Sequence, residues 1–177
     1  MNEILISIKP KYCELIAFGK KTIEIRKTRP KMPTPFKAFV YCTKGSRHEA
    51  LMTPAGDRPV KIVNCFNYKT AIPVGGHICN GKIIGEFVCN SVLIIPNING
   101  GYCITHEYLK ETALKHRDLD KYGKGQKLYG WHISDFALYS KPRELNELCK
   151  ITKLKNGFEI EQIERAPQSW CYLTREG

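Results

Sequence analysis

The opening 27 residues constrain this chain most, because they require a strand, a very short helix and a second strand in immediate succession. Residues 2 to 8 alternate, with Ile4, Ile6 and Ile8 on one side and Leu5 on the other, the period-two pattern of a strand. Pro10 suits a first helical turn, Tyr12, Leu15 and Ile16 fall at helical spacing, and Gly19 can end the helix in a left-handed conformation. A strand from Lys21 to Lys27 follows, with Ile23 and Ile25 on one face and Thr22, Glu24 and Arg26 on the other. So brief a helix between strands does not lead into repeated strand–helix–strand units, and none appears downstream.

Further along, Phe36 to Thr43 reads as a third strand, and the segment from about 45 to 80 as an insertion containing a hairpin, since Pro, Gly, Asn and Lys interrupt its short apolar pieces. Lys82 to Cys89 is a buried strand continuing to Ile95. Thr105 is an N-cap for a helix from about His106 to His116, and Leu128 to Tyr139 is a long strand. A C-terminal extension from about 141 holds a short turn or helix, a hairpin-like stretch to Gln162 and a last strand around Trp170 to Leu173. The sum is an α+β chain: one domain over residues 1–177, a small mixed β-barrel of about six strands with two or three flanking helices.

No apolar stretch reaches the ~18 residues that span a bilayer, so no membrane partner is expected. The N-terminus has no basic region and no small-residue cleavage site, so the cytoplasm is the expected location. The eight cysteines are read as buried reduced thiols, since most sit inside apolar runs and there is no Cys-x-x-Cys. A metal reading would recruit Cys65, His77 and Cys79 with His48, a spacing that matches no standard zinc site; no cofactor is expected. Twenty-eight Lys and Arg against 17 Asp and Glu give a net charge of +11, which favours phosphate-bearing partners by raising encounter rate and nonspecific affinity.

The pattern Ile8-x-Pro10-x-Tyr12-x-x-x-Ile16-x-x-Gly19-Lys20-Lys21-Thr22-Ile23-Glu24-Ile25-Arg26 resembles the opening helix and strand of ASCH domains. Phe39 to Thr43, Gly81 to Phe87, Tyr129 to Ser134 and Arg165 to Trp170 resemble further blocks, the last two from the bacterial and phage-borne branch. The resemblance covers about two thirds of the chain and leaves out the insertion. It implies a PUA-like barrel with a cleft beside the signature, and RNA or a modified nucleoside or nucleotide as the ligand. One branch hydrolyses the amide of N4-acetylcytidine with a lysine, matched here by Lys21, a threonine three positions later and a helical glutamate. Glu24 stands where that threonine would be, and a carboxylate repels a developing oxyanion that a hydroxyl would stabilise. Glu24 could instead act as general base, and the helical glutamate could be Glu107 or Glu111.

Two functions follow from these residues. The first is an RNA- or modified-nucleoside-binding protein, with Lys20, Thr22, Arg26, Lys27 and Arg29 as ligand contacts and Trp131 and Trp170 as stacking platforms. The alternative is a hydrolase of RNA or nucleosides, an amidohydrolase or a metal-independent ribonuclease, with Lys21, Glu24 and Glu111 as catalytic candidates. Each residue has a plainer role available. Glu24 could pair with Lys21 or Arg26 on a solvated strand face, the tryptophans could be core, and His132, alternating with Trp131, is a structural histidine.

Overall fold

The computed structural model describes residues 3–45, 49–53, 61–64 and 76–174. In chain order they form β1 (Glu3–Ile8), α1 (Pro10–Ala17), β2 (Ile23–Arg26), β3 (Phe36–Cys42), β4 (Glu49–Thr53), β5 (Lys61–Asn64), β6 (His77–Ile78), β7 (Lys82–Cys89) and β8 (Val92–Ile95). Then come β9 (Asn97–Ile98), β10 (Gly101–Tyr102), α2 (His106–Glu111), α3 (His116–Gly123), β11 (Leu128–His132) and β12 (Ser134–Arg143). A 3-10 turn (Leu145–Glu147), β13 (Cys149–Leu154), β14 (Gly157–Gln162) and β15 (Trp170–Tyr172) complete the chain.

Two sheets carry the architecture. The larger has the order β12-β7-β3-β1-β15, with β1 and β3 parallel and the other pairs antiparallel; the smaller has the order β2-β11-β8. Both faces of β1 are covered. Ile4, Ile6 and Ile8 join Phe36, Val40, Phe87 and Trp131 in one core, while Leu5 joins Phe39, Tyr41 and Ile83 on the other side. A third core gathers Ile23 and Ile25 of β2 with Leu109 of α2 and Leu119 of α3. The alternation of strands is therefore the physical basis of the layering.

The mixed α+β class holds, with strands dominant and three helices. Where a barrel of about six strands is expected, eight strands lie in two sheets, and among the described residues no ladder is seen that joins these sheets into a closed barrel. The reason lies in two breaks. The expected strand from Lys82 to Ile95 divides at Asn90–Ser91, so that β7 stays in the large sheet and β8 crosses to the small one. The expected strand from Leu128 to Tyr139 divides at Ile133, where β11 leaves the small sheet and β12 enters the large one; Asp135 takes a φ of 51° just beyond.

The helix expected from His106 to His116 is also two helices. Thr105 caps α2 as anticipated, accepting from the Tyr108 backbone N–H at 3.2 Å. Ala113 then adopts a φ of 54°, which an α-helix cannot continue through, and α3 starts at His116. Gly19 has a φ of 65°, the left-handed turn that lets β2 follow α1 at once. Within 45–80, β4 lies between β5 and β6; Cys65 and His48, both named in the metal reading, lie outside the described residues. No helix among the described residues is long and apolar enough to cross a membrane.

Seven described cysteines are free thiols, with Cys13, Cys42, Cys79 and Cys89 buried and Cys103 exposed. Burial pushes the Cys79 and Cys89 thiols up to about 12, which suppresses the reactive thiolate. Alkylation by iodoacetamide at pH 8, mapped by peptide mass spectrometry, is expected to modify Cys103 quickly and to spare Cys79 and Cys89 until denaturant is added. Equal rates at the three sites would contradict their burial.

Candidate functional site

The site is built from the end of α1 and from β2. Ile23 and Ile25 point into the third core, so the alternation turns Glu24 and Arg26 the other way. They enter a cavity of about 800 Å³ rather than solvent. Lys21, Glu24 and Arg26 are only 2%, 7% and 7% exposed. A buried charge is tolerated only with partners, and each of the three has them.

The Lys21 ammonium donates to the Ile23 carbonyl at 2.7 Å and to the Thr112 carbonyl at 2.6 Å, and lies 3.2 Å from Glu24 Oε2. Those three acceptors match its three N–H groups. Thr112 is the residue after α2, so this lysine ties the end of that helix to the strand. Glu24 Oε1 lies 2.8 Å from Arg26 Nη2, which also donates to the Ser7 carbonyl at 2.7 Å; Arg26 Nη1 is 3.4 Å from Ser169 Oγ. The ion pairs Lys21–Glu24 and Glu24–Arg26 exist, but they form one buried triad and not the decoration of a solvated face. Burial pushes the Lys21 pKa down, the Glu24 carboxylate opposes that shift, and the Arg26 guanidinium adds to it.

Lys9, Lys27 and Lys121 join Lys21 and Arg26 on the cavity lining, against Glu24 and Asp118 as the two acids there. The lining is thus net cationic. Tyr12 of α1 supplies a ring with Lys21 Nζ 5.2 Å from its centroid, and Tyr122 of α3 a second with Lys27 Nζ at 5.2 Å. The far wall is the segment before β15, where the Ser7 hydroxyl donates to the Pro167 carbonyl at 2.6 Å and the Ser7 N–H to the Ser169 carbonyl at 2.9 Å.

Of the residues singled out in the sequence, Lys21, Glu24, Arg26 and Lys27 line this cavity. Lys20, Thr22, Glu111, Arg29, Trp131 and Trp170 do not. Lys20 and Arg29 are exposed, and Thr22 Oγ1 lies 3.5 Å from Glu111 Oε2, a contact of its own outside the cavity. Trp131 is a correction. It is fully buried, edge-on to Phe36 at 5.5 Å and to Trp170 at 5.8 Å, so no base can reach its faces. Trp170 is half-buried and donates from Nε1 to Thr28 Oγ1 at 3.0 Å, which makes it a brace between the last strand and the loop after β2. Ser7, Tyr12, Asp118, Lys121, Tyr122 and Ser169 were not anticipated. Asp118 and Tyr122 carried a usable signal, a four-residue helical spacing beyond the end of the expected His106–His116 helix.

No family model matches the chain, and no curated protein matches it. Solved structures do. The crystal structure of ASCH from Zymomonas mobilis superposes with a TM-score of 0.59 at 19% identity, covering 98% of this chain and 88% of that one. A tyrosine-to-phenylalanine mutant of the same Zymomonas mobilis protein gives a TM-score of 0.58 at 19% identity over 99% and 92% of the two chains. The order of elements, the signature segment from Ile8 to Arg26 and this near-complete superposition agree: the chain has the ASCH fold.

Proposed function

We propose that the cavity binds a nucleotide of single-stranded RNA or a modified nucleoside. The observation that carries this reading is the buried Lys21–Glu24–Arg26 triad at the base of an 800 Å³ cavity with a net cationic lining. The volume lies within the range of small-ligand sites, roughly 300–1,000 Å³. Lys9, Lys27 and Lys121 suit phosphate, and the Tyr12 and Tyr122 rings suit a base. The net charge of +11 adds long-range attraction for a polyanion.

Binding is favoured over Lys21-centred amide hydrolysis by the state of the lysine. Its ammonium is committed to the Ile23 and Thr112 carbonyls and to Glu24, so it acts as a tie between elements more readily than as a nucleophile. The Thr22–Glu111 contact lies outside the cavity, which removes Glu111 as a partner for Lys21.

Fluorescence anisotropy with a labelled single-stranded RNA oligonucleotide tests the reading. If the three cavity lysines each neutralise one phosphate, affinity falls about 20-fold between 50 and 200 mM salt, from a slope of about −0.7 per contact. Lys27→Ala should reduce that slope by about one contact. A salt-independent affinity, or none, removes the proposal. Fragmentation of the oligonucleotide during the titration would move the protein to the hydrolase class.

A further inference from the structure

Helix α3 turns one stripe toward the cavity. Asp118, Lys121 and Tyr122 all line it, at the i, i+3, i+4 spacing that shares a helix face. Asp118 differs in its bonding from Glu24, the other acid there. Glu24 has Oε1 on Arg26 and Oε2 on Lys21, so each of its oxygens already accepts from a buried cation. Asp118 uses Oδ2 to accept from the Lys115 backbone N–H at 2.9 Å, which fixes the carboxylate at the start of the helix. A carboxylate has about four acceptor positions, and one such bond leaves capacity to spare. The other charged side chains on the lining are the donors Lys9, Lys21, Arg26, Lys27 and Lys121, and Glu24, which is already paired with two of them.

Asp118 itself lines the cavity, so its carboxylate is available from the interior. Tyr122, one turn further along α3, is 38% exposed and offers a ring on the same stripe. Residues four apart on a helix lie about 6 Å apart between Cβ atoms, so Asp118 flanks the Tyr122 ring on the cavity lining.

We infer that Asp118 is a specificity-determining residue that accepts a hydrogen bond from the exocyclic amino group of a nucleobase stacked on Tyr122. The inference rests on the reading of the cavity as a nucleotide site and narrows it to amino-bearing bases. Uracil places a carbonyl oxygen where cytosine has its amino group, and a carboxylate cannot bond to it.

Isothermal titration calorimetry with three ligands tests this: CMP, UMP, and the 5′-monophosphate of 2-pyrimidinone riboside, which is CMP without its amino group. Wild-type protein should bind CMP about tenfold more tightly than either of the others, the size expected when a hydrogen bond to a charged group is lost. Asp118→Asn supplies the second measurement. Its amide oxygen must stay on the Lys115 N–H, because an amide nitrogen cannot accept, and this turns the NH₂ into the cavity. The preference should then reverse, with UMP bound more tightly than CMP. Equal binding of all three ligands by wild type overturns the inference, as does an Asp118→Asn variant that weakens all three equally, which would assign the carboxylate to the ribose or to the helix alone. The wild-type comparison stands even if the variant fails to fold. Failure of wild type to bind any of the three takes down the nucleotide reading itself.

Discussion

Glu24→Ala is expected to lower the free energy of unfolding by about 3–5 kcal/mol, the usual cost of removing one partner from a buried ion pair. The size follows from what remains. Without the carboxylate, Lys21 keeps two carbonyls and Arg26 keeps the Ser7 carbonyl and a long contact to Ser169, but two cations share a buried floor with no counter-charge. Water cannot solvate them fully, since Lys21 is 2% exposed. In urea, with a slope of about 1–3 kcal/mol per molar for a small protein, the midpoint should drop by roughly 2 M. Glu24→Gln should lose less, because its amide oxygen can still accept one hydrogen bond. A loss below about 1 kcal/mol for Glu24→Ala is the value of an exposed pair and would show that the triad is solvated.

Trp131→Ala should be of similar size, about 3–5 kcal/mol, because it removes the largest fully buried side chain. It contacts Phe36 edge-on on one side and Trp170 on the other, so its loss also loosens the wall that Trp170 braces. Trp131→Phe separates volume from function. The indole Nε1 is buried with no hydrogen-bond partner among the described residues, so removing it relieves a cost that partly offsets the lost volume. Trp131→Phe should therefore be clearly more stable than Trp131→Ala and should bind nucleotides as wild type does. If it keeps its stability but loses affinity, Trp131 is a stacking platform after all.

How much of this was legible beforehand differs from element to element. The signature could be read because it is local. Strand alternation alone puts Glu24 and Arg26 on one face, and Gly19 fixes where α1 must stop. What alternation leaves open is what that face meets, and the solvated ion pair was as consistent with the pattern as the buried triad. Helix α3 escaped because its start carries no usual signal. Its N-cap is Lys115 and not Ser, Thr, Asp or Asn, and the Ala113 turn that separates it from α2 has no glycine. The breaks at Asn90 and Ile133 escaped for a related reason: only a polar pair (Asn90-Ser91, Ser134-Asp135) interrupts the apolar runs there, and no glycine or proline marks the change of sheet. Ser7 and Ser169 belong to the site only through the pairing of β1 with β15, a register that no local pattern specifies.

That last pairing bears on how the protein is made. Ser7 leaves the ribosome 160 residues before Pro167, and Pro167 and Ser169 close the cavity wall against it. Contacts so distant along the chain form slowly and late, because loop closure precedes any reward. The Lys21–Glu24–Arg26 cluster must therefore wait, half-walled, while more than a hundred residues are synthesised. During that interval its cations stay hydrated, and their burial is completed only when the segment carrying Pro167 and Ser169 docks against Ser7. The signature is thus local in sequence, but its charge environment is set by a segment more than a hundred residues away.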